Sequence, residues 1–140
     1  MLDRDTVARN GRIDRDGCLA LLAGEVVGRL GVIDGGRPLT FPVNYVLDGT
    51  DIVFRTDQGT KLDAGLRSPV SFEVDQVDRA TSTGWSVLVT GRLEEVTPFD
   101  AAALERVRGL PVDPWADGPR RRWVRLVPDR FTGRRVGPAT

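Results

Sequence analysis

Histidine does not occur in this sequence, and that one absence closes off imidazole general bases, His-bearing zinc sites, His-ligated haem and the Ser-His-Asp and Cys-His nucleophile systems. Cysteine occurs once, at Cys18, which removes thiolate metal clusters and any intrachain disulfide. No metal site is expected, and no catalytic residue can be named. There is no apolar run near the ~20 residues of a membrane-spanning helix, and the first residues lack the basic and apolar regions of a secretory signal. The expectation is a soluble protein of the reducing cytoplasm with no membrane partner. Twenty basic and 20 acidic side chains cancel and are interspersed, so nothing demands nucleic acid. Any chemistry of such a chain would come from a bound organic cofactor.

What is present has the size of one domain, 140 residues, enough for one core and not two. Phe41, Val43, Tyr45 and Leu47 alternate with Pro42, Asn44 and Val46, the period of a strand with one face on a core. Asp48-Gly49 turns the chain, and Ile52 to Thr56 continues as a second strand. Thr60-Lys61-Leu62-Asp63 then matches a capping box opening a helix over about 61–66. Arg55 and Thr56 at the strand end, Gly59 in the connection and Lys61 in the first helical turn are chemistry suited to a phosphate, because unpaired N–H groups and the helix dipole favour an anion there. Lys61 is also the only lysine among the basic side chains. The bland alternative is that Thr60 merely caps and that Arg55 and Lys61 are solvated.

Elsewhere, residues 1–13 carry no period and read as a loose or extended arm. Asp16 is the expected cap of a short helix over 17–23, stopped by Gly24. Cys18 within it reads as a small packed hydrophobe. Further strands are expected around Val26–Val32, from Pro69 through Val74, from Gly84 to Gly91, and around Trp123–Val127. A polar loop spans 78–84, Thr97-Pro98-Phe99-Asp100 reads as a second capping box with proline at the first helical position, and Pro111, Pro114 and Pro119 stiffen a connection carrying Trp115. Pro128-Asp129-Arg130 is expected to bend the chain into a separate terminal strand over 131–136. Six or seven hairpin-connected strands with short helices give a small antiparallel barrel, whose filled interior leaves a ligand the size of an organic cofactor on its outside or at a subunit junction. Arg120, Arg121, Arg122, Arg125, Arg130, Arg134 and Arg135 cluster near the C-terminus, either as a solvated face or in an anion-binding or interface role.

Phe54-Arg55-Thr56-x-x-Gly59-Thr60-Lys61, preceded by Phe41-Pro42-Val43-Asn44-Tyr45, resembles the pyridoxamine 5′-phosphate oxidase-like family, the flavin-binding split β-barrels. Gly28–Val32, Val70–Asp75 and Gly84–Gly91 resemble its other barrel strands, so that the likeness covers residues 16 to 136. It implies a mainly β split barrel, a homodimer, and flavin mononucleotide (FMN), with a deazaflavin coenzyme as the alternative, in clefts between subunits. Arg55, Thr56, Thr60 and Lys61 would hold the phosphate, Pro42, Val43 and Asn44 would line the isoalloxazine, and Trp85 with Ser86 would reach it from the partner. Trp85 is equally readable as core or interface packing. Trp123 and the arginines after it resemble the C-terminal flavin contacts of the true oxidases at a different spacing and are not counted in the site. Those oxidases are longer and grip substrate with an arginine–histidine pair that this chain lacks, so pyridoxamine phosphate oxidation is not expected. A flavin-dependent oxidoreductase acting on a small molecule is the first expectation, and a flavin- or nucleotide-binding carrier or sensor without turnover is the second.

Overall fold

The computed structural model describes residues 11–57, 59–115, 118, 120 and 122–137, and for Thr60 and Lys61 the backbone alone. Seven strands and three helices follow one another as β1 (Arg12–Ile13), α1 (Arg15–Ala23), β2 (Val27–Asp34), β3 (Arg37–Asp48), β4 (Asp51–Thr56), α2 (Thr60–Arg67), β5 (Val70–Asp78), β6 (Thr83–Val96), α3 (Ala101–Arg108) and β7 (Arg122–Val136). The sheet order is β1-β7-β4-β3-β2-β5-β6, and a further β6–β7 pairing closes six of the strands into a ring. All pairings are antiparallel. This is a split β-barrel.

Alternation decides what fills it. Leu30, Val32, Val43, Tyr45, Ile52, Phe54, Phe72, Val74, Val87, Val89, Val124 and Leu126 form the interior cluster, with Cys18 and Leu22 of α1 and Leu62 and Ala64 of α2 joined to it. Phe72 lies edge-on to Tyr45, ring centroids 5.0 Å apart at 81°, and a Cβ on Gly28 would stand 2.1 Å from the Phe72 Cζ. Only glycine leaves that ring its place. The Tyr45 hydroxyl donates to the Leu22 carbonyl at 2.6 Å, tying α1 to the barrel, and burial, with Glu25 nearby, pushes its ionisation far up. A second, smaller cluster lies outside the barrel, where Val53 and Trp123 are covered by Val107 of α3 and by Val112.

Several local expectations are corrected. Asp14, not Asp16, caps α1, its Oδ1 accepting from the Gly17 N–H at 2.8 Å. Asp100, not Thr97, caps α3, accepting from the Ala103 N–H at 3.1 Å, so Pro98 stands before the helix and not at its first position. The capping box proposed from Thr60 is one residue out of frame: Gly59 occupies the cap position and Thr60 is the first helical residue. Arg12 and Ile13, expected in a loose or extended arm, are extended and not loose, pairing with Arg134 and Gly133; residues 1–10 lie outside the described residues. Strand β7 is one element of 15 residues, because the Pro128–Arg130 segment is absorbed as a register shift opposite Thr90 and Gly91 rather than as a break. Pro119 and Arg121 are outside the described residues.

The turn between β3 and β4 is locked from two directions. Gly49 adopts φ 65°, and the Asp48 carboxylate, whose side chain is 6% exposed, accepts from Arg106 of α3 and from Arg125 of β7 at 3.1 Å. Hydrogen bonding from Arg106 leads in holding the Asp48 carboxyl below its usual range, with Arg125 adding to it against the opposing effect of burial. A carboxylate whose folded pKa is depressed contributes stability above its unfolded pKa, and that contribution is lost as pH falls through the folded value. Asp48→Asn is therefore expected to lower stability at neutral pH by about 2 kcal/mol. The gap between variant and wild type should close in acid, below pH ~4, as followed by thermal denaturation across pH.

Candidate functional site at the split

Strands β3 and β4 are paired from Asp48/Asp51 up to Tyr45/Phe54 and part beyond it. They part because their next residues are committed elsewhere: β3 from Arg37 to Asn44 pairs with β2, while β4 continues along β7 to Thr56. Asn44 and Arg55 are thus the first residues on the two lips of the split.

The first lip is Pro42-Val43-Asn44. The Tyr45 N–H donates to the Val26 carbonyl at 3.1 Å. Alternation along an antiparallel ladder then gives the backbone groups of Val43 to β2 and turns those of Asn44 toward the split. Pro42 shares that outward parity, so its missing N–H costs the β2 ladder nothing. The Val43 side chain is buried in the core and Pro42 is exposed. Asn44 is fixed by its amide, Nδ2 donating to the Val26 carbonyl at 3.4 Å and Oδ1 accepting from the Trp115 N–H at 2.8 Å.

The second lip is Arg55-Thr56 and the start of α2. The Arg55 guanidinium stacks on Trp123, 5.1 Å from the ring centroid, and its Nε donates to the Arg120 carbonyl at 3.0 Å. Its two Nη groups take no partner among the described residues. Thr56 points inward, 4% exposed, and its hydroxyl donates to the Asp57 carbonyl at 3.3 Å. The Asp57 carboxylate is occupied by Arg120 at 3.0 Å, which leaves Arg55 as the charge without an ion pair among the lip's described residues. Helix α2 begins three residues on, with its first-turn N–H groups unpaired within the helix. The backbones of Thr60 and Lys61 stand in that first turn; their side chains lie outside the described residues.

The chain after α3 touches both lips, through Trp115 on Asn44 and Arg120 on Arg55. Beside Asn44 a cavity of about 400 Å³ opens, walled by Val26, Leu47, Pro111 and Trp115, with the carboxylates of Glu25 and Asp113 among its lining. A flavin phosphate fits the donor set of the second lip, and the strand edge of the first lip offers backbone groups to the polar edge of a flat ring.

Trp85 and Ser86 are not part of this cluster within one chain. Trp123 pairs with Val96 while Trp85 pairs with Arg135, so the two tryptophans stand near opposite ends of the 14-residue β6, up to about 36 Å apart at the rise of a strand. Trp85 points inward and packs against the interior cluster. Ser86 points outward, and cavities of about 490 and 320 Å³ open around this end of the barrel. The Trp123 platform, the Asp57–Arg120 pair and the tie from Trp115 to Asn44 were not read as site features from the sequence. Each joins residues more than 60 positions apart, and no local motif signals it.

A split antiparallel barrel with a cationic lip beside a helix start defines the class of flavin-binding split barrels. The family model described as pyridoxamine 5′-phosphate oxidase matches residues 14–135, and the chain belongs to that family. An uncharacterised protein of Mycobacterium tuberculosis, Rv0080, is 31% identical over 131 residues, 89% of this chain and 84% of its own length. The solved FAD binding protein from Mycobacterium smegmatis is 33% identical with a TM-score of 0.79, covering 91% of this chain and 98% of that one. A FAD-binding protein from Mesorhizobium loti, at 22% identity, shares the fold with a TM-score of 0.73 over 88% of this chain and 95% of its own.

Proposed function

We propose that this protein binds a flavin nucleotide, FMN in the first instance, in clefts between the two subunits of a homodimer, and that it is a flavin-dependent oxidoreductase for a small molecule of the cytoplasm. The observation that carries the reading is Arg55, stacked on Trp123 with both Nη groups without a partner among the described residues, at the mouth of the β3–β4 split and next to the start of α2. An arginine so held is preorganised for a phosphate dianion. When bound, the flavin supplies the hydride or electron transfer. The chain's own residues bind and orient: Arg55, Thr60 and Lys61 at the phosphate, and the Asn44 edge at the ring. Thr56 stays in the set as the residue that shapes the turn into α2. The two-subunit arrangement is supported by the separation of Trp85 and Ser86 from Arg55 in one chain, and by the exposed apolar side chains Val77, Leu88 and Val136 around Ser86, 71%, 42% and 54% exposed. Pyridoxamine phosphate oxidation is not proposed, since the chain has no histidine.

Titration of the purified protein with FMN should give a saturable change in flavin absorbance and fluorescence, and the same titration with a deazaflavin coenzyme separates the rival cofactor. Reduction of the bound flavin by a nicotinamide coenzyme, followed by reoxidation with candidate acceptors, is the expected outcome for an oxidoreductase. A flavin that binds but is inert to every donor assigns the protein instead to the carrier or sensor reading.

A further inference from the structure

The arginines that cluster in the C-terminal sequence separate into two kinds in the fold. Arg120, Arg122 and Arg125 are each ion-paired, with Asp57, with Glu95, and with Asp48 and Asp51 respectively. Arg130 and Arg134 line a groove of about 450 Å³ at this edge together with Arg12, Arg15 and Phe131, and none of the four arginines has an ion pair among the described residues; the Phe131 side chain itself turns inward against the interior cluster.

Two features make this more than a solvated face. Arg12 and Arg134 are direct cross-strand partners. The Arg135 N–H donates to the Gly11 carbonyl at 2.9 Å, so alternation makes Arg12/Arg134 a non-hydrogen-bonded pair, the position where side chains approach most closely. Like charges there are destabilising unless something negative lies between them. Second, among the described residues the edge of β7 has no strand partner at Phe131: β4 covers it only as far as Leu126, and β1 resumes at Gly133. The same alternation that points the backbone of Gly133 and Arg135 at β1 points that of Phe131 into the groove. The Arg15 guanidinium lies over the Phe131 ring at 5.6 Å, a flat cationic surface of the kind that stacks on an aromatic base. Asp14, which caps α1 through Gly17, is the one carboxylate among the described lining residues, against four arginines, and Asp129 nearby accepts from the Thr90 hydroxyl at 2.8 Å.

We propose that this groove is a second anion site, for the pyrophosphate of a nucleotide, with Arg12 and Arg134 bridged by the phosphates and Arg15 stacked on the base. It lies on the β1 edge of β7, away from the Arg55 lip; Arg134 is also the cross-strand partner of Ser86, so the groove adjoins the Ser86 end of the barrel, and the flavin-free ADP arm is what separates it from the proposed flavin cleft. The pyrophosphate can belong to a free nucleoside diphosphate or to a flavin dinucleotide.

Calorimetry with the full chain and no added flavin is expected to show saturable binding of ADP and of inorganic pyrophosphate at low salt, weakened at least about ten-fold in Arg12→Ala/Arg134→Ala by the loss of two charge-assisted contacts. Without anions the single variant Arg12→Ala should melt higher than wild type, and added pyrophosphate should raise the wild type more than the variant. Comparison of FAD with FMN separates the sources. FAD binding tighter than FMN, with the excess abolished in the double variant, assigns the groove to a dinucleotide; ADP binding with FAD and FMN equal assigns it to a free nucleotide. Either result supports the site, and because the ADP arm uses no flavin, a protein that ignores FMN leaves it standing. Equal ADP and pyrophosphate affinities in wild type and double variant, or no binding in either, overturn it.

Discussion

Arg55→Ala is expected to weaken FMN binding about ten- to hundred-fold, the loss of one charge-assisted hydrogen bond to a dianion, while riboflavin, which has no phosphate, binds almost as before. The selectivity of the loss is what matters. Arg55 also stacks on Trp123 and holds the Arg120 carbonyl, so a purely structural role would loosen the chain over the split and reduce both ligands together. Lys61→Ala supplies an independent reading of the same phosphate, with an expected loss of similar size, and exchanging a helix lysine for alanine costs no helix propensity. Equal losses for FMN and riboflavin in both variants would return these residues to the barrel. No loss in either would return them to the solvated surface.

The largest effect on stability is expected at the ring inside the barrel. Phe72 is fully buried, edge-on to Tyr45 and pressed against Gly28, so Phe72→Ala should cost about 3–5 kcal/mol, a fall in melting temperature of roughly 10–20 °C for a domain of this size. Gly28→Ala should cost about 1–3 kcal/mol by overpacking, since its Cβ has no room beside the ring. The two changes share one space, and their combination should be less destabilised than their sum, because the new methyl enters the cavity left by the ring. Strict additivity in thermal or denaturant unfolding would show that Gly28 and Phe72 do not compete for that space.

Much of the fold is legible in the sequence for physical reasons that can be named. Phe41 to Leu47 alternates because one face meets the core, and the structure turns Val43 and Tyr45 inward as that alternation requires. The Asp48-Gly49 turn is legible because a positive φ favours glycine. Helix frames are less legible. At the three helix starts the expected and observed caps differ by two, one and three residues, the caps being Asp14, Gly59 and Asp100, because several residues near each start can cap and the local sequence does not rank them. Pro128 reads locally as a bend, yet Gly91 opposite it has no Cβ to obstruct the β7 backbone, and the strand continues past the irregularity. The candidate site divides in the same way. Arg55, Thr56 and the start of α2 are neighbours in the chain and were readable together. Trp123 under Arg55, Arg120 across it and Trp115 on Asn44 come from a strand and a connection more than 60 residues further along, and only closure of the barrel reveals them.

The account's central claim, a flavin site assembled from Arg55 of one subunit and the Ser86 end of the other, is tested most directly by complementation between two defective chains. Arg55→Ala removes the phosphate contact, and Ser86→Glu places a carboxylate at the outward-facing position expected to border the partner's flavin. Each variant alone should bind FMN poorly. Co-expressed and purified together, they should regain tight binding at about one quarter of the sites, because random pairing makes half the dimers mixed and each mixed dimer carries one intact site. A mixture that binds no better than its separate components, while still forming dimers, would contradict the shared site.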